Sequence, residues 1–108
     1  MKRDLDSGFR KPRQQAPRKS QRVAIEAMVK LRRRGHHNFT VQVFDLSRDG
    51  CKLEFLEQPQ LDETVWVKFA DLEGLPATVC WIEDNVAGVE FLRPIHSAVF
   101  EMLVSRLR

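Results

Sequence analysis

The sequence predicts an all-β protein, a six-stranded antiparallel β-barrel with a C-terminal helix, preceded by a flexible N-terminal tail. Three observations indicate this architecture. Six short runs of apolar residues, lying between about residues 22 and 92, alternate with polar residues at a period of two, the pattern of strands with one buried face. Turn-forming residues separate the runs. After Pro94 the apolar period lengthens to that of a helix. A closed barrel is favoured because it leaves no exposed strand edge.

The elements follow one another at hairpin-like spacing. The alternation predicts strands over residues 23–31, 39–46, 51–55, 65–69, 75–81 and 86–91. The polar stretch between Arg32 and Asn38 has the composition of a hairpin turn, and Glu83 to Asn85 form a tight connection. One apolar stripe at helical spacing predicts a helix over about residues 95–107. The order of the strands within the barrel does not follow from these patterns.

The N-terminal region differs from the rest of the chain in composition. Residues 1–17 contain Gly8, Pro12 and Pro17 and show no apolar periodicity, which predicts a flexible basic tail before a domain over residues 18–108. Residues 1–34 hold 12 of the 18 Lys and Arg and three acids, a net charge of +9, whereas residues 35–108 hold six basic and 12 acidic residues, a net charge of −6. This asymmetry indicates an anionic partner at the N-terminal end. It argues against a nucleic acid that coats the barrel.

Composition also limits location and redox state. No apolar run approaches the ~20 residues of a membrane-spanning helix, so we expect no membrane insertion. The first six residues lack the apolar stretch of a secretion signal, which favours a cytoplasmic location. Cys51 and Cys80 match no zinc or redox spacing, and both are expected to be reduced and packed as small hydrophobic residues.

The residues that catalysis requires are not assembled in any known pattern. The chain has no Gly-rich phosphate loop, no serine elbow and no combination of base and nucleophile. His36 and His37 are adjacent and have no third metal ligand nearby in the sequence. We therefore expect a protein that is not an enzyme and has neither a metal nor a cofactor.

Two short motifs carry the candidate binding chemistry. Arg18 and Arg22 lie four residues apart just before the first strand, and arginine offers a fork of donors that fits phosphate oxygens or the O6/N7 edge of guanine. Between the second and third strands, Asp45, Ser47 and Gly50 form the pattern D-x-S-x-x-G. A carboxylate accepts hydrogen bonds, as the N1–H and amino group of guanine require, and glycine permits a turn that a Cβ would forbid. Together the motifs offer groups complementary to an anionic guanine nucleotide.

In this order, R-x-x-x-R and then D-x-S-x-x-G, the motifs resemble those of the PilZ domain, a bacterial receptor module for cyclic di-GMP. The likeness extends to the last two predicted strands, around Trp81 and over residues 88–91, and covers about residues 18–108. The resemblance implies a six-stranded barrel that binds cyclic di-GMP and has no catalytic activity. It implies that Arg18 and Arg22 bind phosphates and guanine O6/N7. It also implies that Asp45 and Ser47 bind the guanine edge and the adjacent phosphate, while Gly50 permits the turn.

Four further residues are possible ligand contacts. Lys19 and Arg48 are donors next to the motif arginines and the motif serine, and Arg13 favours a stacked pair of ligands over a single one if the tail folds back. Trp81 alternates in phase with the apolar residues of its strand, which predicts core packing; the alternative is a ring at the barrel rim on which a guanine stacks.

The resemblance implies signalling by a change of shape. We expect ligand binding to alter the N-terminal arm and the surface around it, and so to change recognition by a downstream protein whose identity the sequence does not give. Two other classes remain open. One is a PilZ-like module that binds only proteins. The other is a small basic barrel that binds single-stranded nucleic acid, which is disfavoured because the chain has no Tyr and most Phe fall at core positions.

Overall fold

The structure, a computed structural model, describes residues 21–107. Its elements in chain order are β1 (Val23–Arg33), β2 (Asn38–Leu46), β3 (Gly50–Glu54), β4 (Thr64–Lys68), β5 (Leu75–Glu83), β6 (Val86–Phe91) and α1 (Ser97–Leu107). The six strands form a closed antiparallel barrel, which confirms the predicted fold class.

The order of strands around the barrel is β1-β2-β3-β6-β5-β4. Four of the six strand pairs join consecutive strands, while β3 with β6 and β1 with β4 close the barrel. These two closing pairs join strands that are distant in the sequence, and for this reason local periodicity did not predict them.

The core lies inside the barrel. Each strand turns one face toward the interior. The largest fully buried side chains of the barrel are those of Phe55, Phe69, Leu31, Leu46 and Leu53. Ile95 and Leu103 belong to the same apolar cluster, so the segment after β6 and the helix α1 complete the core.

Three β-bulges interrupt the strand alternation. They lie between Ala24 and Ala27 in β1, between Val43 and Asp45 in β2, and between Val79 and Trp81 in β5. A bulge places an extra residue in one strand, and every side chain beyond it then faces the side opposite to that expected from simple alternation.

The β5 bulge corrects two expectations. Trp81 pairs with Gly88, and Ile82 pairs with the buried Ala87, so Ile82 takes the inward position and Trp81 lies outside the core. Cys80 is the extra residue and is exposed, whereas Cys51 is buried as expected. The predictions of core packing for Trp81 and Cys80 were therefore wrong, because sequence alternation does not reveal the bulge.

Within residues 21–107, no helix has both the length and the hydrophobicity needed to cross a membrane.

Candidate ligand site on the outer barrel face

One row of directly paired positions crosses the outer face of the barrel. Asp45 on β2 pairs with Lys52 on β3, Lys52 pairs with Gly88 on β6, and Gly88 pairs with Trp81 on β5. Three strand spacings separate Asp45 from Trp81, roughly 14 Å along the sheet. The row therefore brings a carboxylate, an ammonium group and an aromatic ring onto one surface.

The bulge in β2 sets the direction of Asp45. Val43 is buried and Phe44 is the extra residue, so Asp45 takes an outward position and the following Leu46 is fully buried. The bulges of β2 and β5 thus act alike, since each turns one residue of the row, Asp45 or Trp81, out of the barrel.

Arg22 and Asp45 join the two sequence motifs directly. Arg22 Nη1 donates a hydrogen bond of 2.6 Å to Asp45 Oδ1, although the residues are 23 positions apart. The side chains keep 36% and 16% of their surface exposed, so the arginine fork still faces solvent. The pair presents acceptors and donors side by side at one end of the row.

Ser47 stabilises the motif turn from inside. Its hydroxyl accepts hydrogen bonds from the backbone N–H of Asp49 at 3.1 Å and of Gly50 at 3.2 Å. Its backbone N–H donates to the carbonyl of Gly50 at 2.9 Å. Ser47 has only 1% of its surface exposed and so is a fully buried polar residue. The structure gives this side chain a role in the turn, and its contact with a ligand stays a prediction.

Gly50 is required by the close approach of two strands. A Cβ at this position would lie 2.1 Å from the carbonyl oxygen of Val89 on β6. Among the glycines of residues 21–107, positive φ occurs at Gly35 and not at Gly50. The motif glycine therefore serves the packing of β3 against β6 rather than a left-handed turn.

Arg48 connects the motif turn to the segment before α1. Its Nε donates to the carbonyl of Ile95 at 2.6 Å, and the backbone N–H of Ile95 donates back to the carbonyl of Arg48 at 2.8 Å. Next to it, the N–H of Phe91 donates to the carbonyl of Asp49 at 2.8 Å. Arg48 was predicted as a possible ligand contact. Its Nε is bonded to the main chain, and a ligand contact through the rest of the guanidinium stays a prediction. No sequence signal indicates this role, because the acceptor is a main-chain carbonyl 47 residues away.

Trp81 lies flat against a glycine. A Cβ added to Gly88 would lie 2.0 Å from Trp81 Nε1, so the indole occupies the space above that glycine on the outer face. The ring is half-buried rather than enclosed. This placement agrees with the alternative expectation of an accessible ring.

Lys52 is a candidate that the sequence analysis did not identify. It is the neighbour of Asp45 across the β2–β3 pair, and its Nζ lies 5.9 Å from the centre of the Phe44 ring. Only the strand register reveals its place in the row. The predicted contacts Arg13, Arg18 and Lys19 lie outside the described residues.

A model of a known protein family matches most of the chain. The model of the PilZ domain family matches residues 16–107, which include both motifs and the whole barrel. The chain therefore belongs to the PilZ domain family. PilZ domains are modules for cyclic di-GMP binding and signalling, with regulatory rather than catalytic roles. No curated protein matches the chain.

Proposed function

We propose that this protein is a cytoplasmic bacterial receptor for cyclic di-GMP, which binds across the outer face of the barrel and controls a protein partner. One observation carries the proposal. The Arg22–Asp45 ion pair stands at one end of a row of paired positions whose other end is the accessible Trp81. The row combines what a guanine nucleotide requires, namely an acceptor for its N1–H edge, cations for phosphate and a ring for stacking.

Each residue then has a distinct task. Asp45 accepts from the guanine N1–H and amino group, while Arg22, with Arg18, donates to O6/N7 and to phosphate. Lys52 adds positive charge between the two ends of the row, and Trp81 offers a face for a base. Base stacking on an aromatic side chain contributes typically ~1–3 kcal/mol. Ser47 acts by fixing the turn that follows Asp45, and Gly50 acts by allowing the close approach of β3 and β6.

The proposed ligand contacts include both members of an ion pair. One oxygen of Asp45 accepts a hydrogen bond from Arg22. A bound guanine would either bind to both members of the ion pair or separate them. In both cases the hydrogen-bond partners of the Arg22 side chain change. Because Arg22 directly precedes β1, that change acts on the chain that leads to residues 1–17.

Two routes can carry the signal to a partner. One is the N-terminal arm, where Arg13 and its neighbours would close over the bound phosphates, as the sequence predicts. The other is the motif turn, which Arg48 links to Ile95 just before α1. Hydrogen exchange with and without cyclic di-GMP separates them. Protection that appears in residues 8–22 supports the arm, and protection limited to residues 91–100 supports the helix.

Calorimetric titration tests the proposed ligand. We expect binding of cyclic di-GMP and much weaker binding of GTP, cyclic AMP and a short oligonucleotide. Arg18→Ala and Arg22→Ala should each reduce binding strongly, whereas Arg93→Ala, which removes an exposed arginine from the β6–α1 connection, should not. A folded wild-type protein that binds none of the nucleotides would refute the proposal in favour of a PilZ-like module that binds only proteins.

A further inference from the structure

A second cationic surface lies on β1 and β4, outside the proposed ligand site. Lys30 pairs with Lys68, and the next outward position, Arg32, pairs with Trp66. Arg34 lies close by, with its guanidinium carbon 6.0 Å from the centre of the Trp66 ring. We call this set the β1–β4 basic face, made of Lys30, Arg32, Arg34, Trp66 and Lys68.

The cations of this face have no acidic partners in the described part of the chain. Within residues 21–107, the ion pairs involve Arg22, Arg33 and Arg106, and none involves a cation of the β1–β4 basic face. The β2 neighbours of Lys30 and Arg32 are the neutral residues Thr40 and Asn38. Positive charge therefore accumulates here, and three of the four cations belong to residues 1–34, which carry a net charge of +9.

This arrangement lowers the stability of the barrel. Like charges directly opposite each other on antiparallel strands are destabilising, and Lys30 and Lys68 occupy such positions. An acid at either position would remove the repulsion. Lys68 Nζ donates to the carbonyl of Ala70 at 3.3 Å, but no carboxylate within residues 21–107 offsets the repulsion. A loss of stability at such positions is a common cost of function.

The aromatic ring in this face holds an arginine in place. The guanidinium of Arg32 lies 4.1 Å from the centre of the Trp66 ring, within the range of a cation–π contact. A stacked guanidinium is oriented by the ring and keeps the N–H groups on its edge for a carboxylate. The same contact covers one face of the Trp66 indole.

The β1–β4 basic face is distinct from the ligand row. Along β1, Lys30 lies six positions from Ala24, the neighbour of Asp45, which corresponds to roughly 20 Å. In the closed barrel, β4 also neighbours β5, which carries Trp81 at the other end of the row. Trp66 pairs with Pro76, five positions before Trp81 along β5, which corresponds to roughly 17 Å. One molecule of nucleotide in the row would leave this face open.

We propose that the β1–β4 basic face is a docking surface for an acidic segment of a partner protein. A short run of Asp and Glu side chains matches the four cations, of which three lie on β1 and β4 and one, Arg34, lies in the turn after β1. A nucleic acid fits less well, because its phosphate charges continue along the whole polynucleotide. They would meet the rest of the barrel, where residues 35–108 carry a net charge of −6.

Titration of the full chain with a synthetic peptide rich in Glu and Asp tests this inference, with NMR shifts as the readout. The test variant is Lys30→Glu. Its control is Arg93→Glu, which makes the same charge change at an exposed position on the β6–α1 connection. We expect Lys30→Glu to weaken peptide binding about tenfold, to raise the unfolding midpoint by about 1–8 °C, and to leave cyclic di-GMP affinity unchanged. Arg93→Glu should change none of the three.

Three results would overturn the inference. Equal losses in the two variants would show that the peptide follows net charge alone. Oligo(dT) that binds more tightly than the peptide, with the same dependence on Lys30, would make the face a nucleic-acid surface. Self-association that shifts the same resonances without peptide would make a second copy the partner. A failure to bind cyclic di-GMP would refute the proposed function alone, because none of these readouts depends on the nucleotide.

Discussion

Arg22 and Asp45 form an ion pair of 2.6 Å that joins the two sequence motifs across the β1–β2 pair. The register explains the contact, since Ala24 pairs with Asp45 and Arg22 lies two residues before it. Both groups that the sequence assigns to one ligand are thus adjacent in the fold. A guanidinium and a carboxylate placed side by side offer the donors and the acceptor that the proposed guanine contact requires.

Arg22→Ala should weaken ligand binding while it leaves the stability of the barrel nearly unchanged. We expect the affinity for cyclic di-GMP to fall at least about tenfold, because the arginine supplies charged hydrogen bonds worth ~1.5–3 kcal/mol each. The free energy of unfolding should change by only about 0–1 kcal/mol, since the ion pair is partly exposed. Arg22→Lys should also bind poorly, because an ammonium group cannot make the bidentate contact. Calorimetry and thermal unfolding measure the two quantities.

Arg106→Ala is the matched control, because Arg106 forms an exposed pair with Asp71 at 3.8 Å, far from the motifs in sequence. It should leave both affinity and stability close to wild type. Near-normal nucleotide binding by Arg22→Ala would place the site elsewhere on the barrel.

The sequence predicted the six strands and the helix in the correct order because each strand has one buried face, and burial leaves a period of two in the sequence. It failed at Trp81, where the bulge at Cys80 reverses the alternation. The same kind of bulge before Asp45 caused no error, because the motif identified that residue without reference to its face.

Contacts with main-chain atoms were the other part that the sequence could not predict. Asp45 and Arg22 are recognisable by their side-chain chemistry, and their pairing agrees with it. Arg48 has the same chemistry as Arg22, yet its Nε donates to the carbonyl of Ile95. Only the fold distinguishes an arginine that stabilises a turn from one that faces solvent.

Gly88→Ala tests the position of the Trp81 ring. The new Cβ would lie 2.0 Å from Nε1 and 2.4 Å from Cε2, so the indole must rotate away while the backbone stays in place. We expect a folded protein that is about 1–3 kcal/mol less stable. Its Trp81 indole N–H resonance should shift, and its affinity for cyclic di-GMP should fall about tenfold if the ring stacks on a base.

Trp81→Ala and Gly74→Ala complete that experiment. Trp81→Ala should lower affinity by a similar factor, whereas a Cβ at Gly74 would meet Trp66 Cβ at an ordinary 3.6 Å and should change affinity little. Wild-type affinity in Trp81→Ala would remove the indole from the ligand site.

Gly50→Ala should damage the barrel itself. Here the added Cβ would lie 2.1 Å from a main-chain oxygen, that of Val89, which cannot rotate away as a side chain can. Relief requires that β3 and β6 separate, so we expect a loss of about 2–4 kcal/mol in the free energy of unfolding. Urea denaturation of Gly50→Ala beside Gly74→Ala measures the difference. A loss no greater than that of Gly74→Ala would show that the strand pair tolerates the Cβ.

Arg33 and Glu63 should make stability depend on pH. Arg33 Nε and Nη2 donate to the two oxygens of Glu63 at 2.6 and 2.8 Å, and the backbone N–H of Gln60 donates to Glu63 at 3.0 Å. The two side chains are only 18% and 20% exposed. The hydrogen bond from Arg33 is the largest cause that lowers the pKa of Glu63. This bidentate pair holds the end of β1 against the residue that precedes β4.

The sign of the pH dependence follows from the lowered pKa. A carboxyl group whose pKa is lower in the folded state stabilises the fold above its unfolded pKa, about 4.3 for Glu, and loses this contribution as the pH falls through the folded value. Glu63→Gln should therefore reduce the free energy of unfolding by about 1–3 kcal/mol at neutral pH, and this difference should shrink as the pH falls below about 4. Urea denaturation of both proteins across this range measures it, with Glu101→Gln on the exposed face of α1 as the control. A difference between wild type and Glu63→Gln that stays constant down to the lowest pH would show that the charge of Glu63 does not stabilise the barrel.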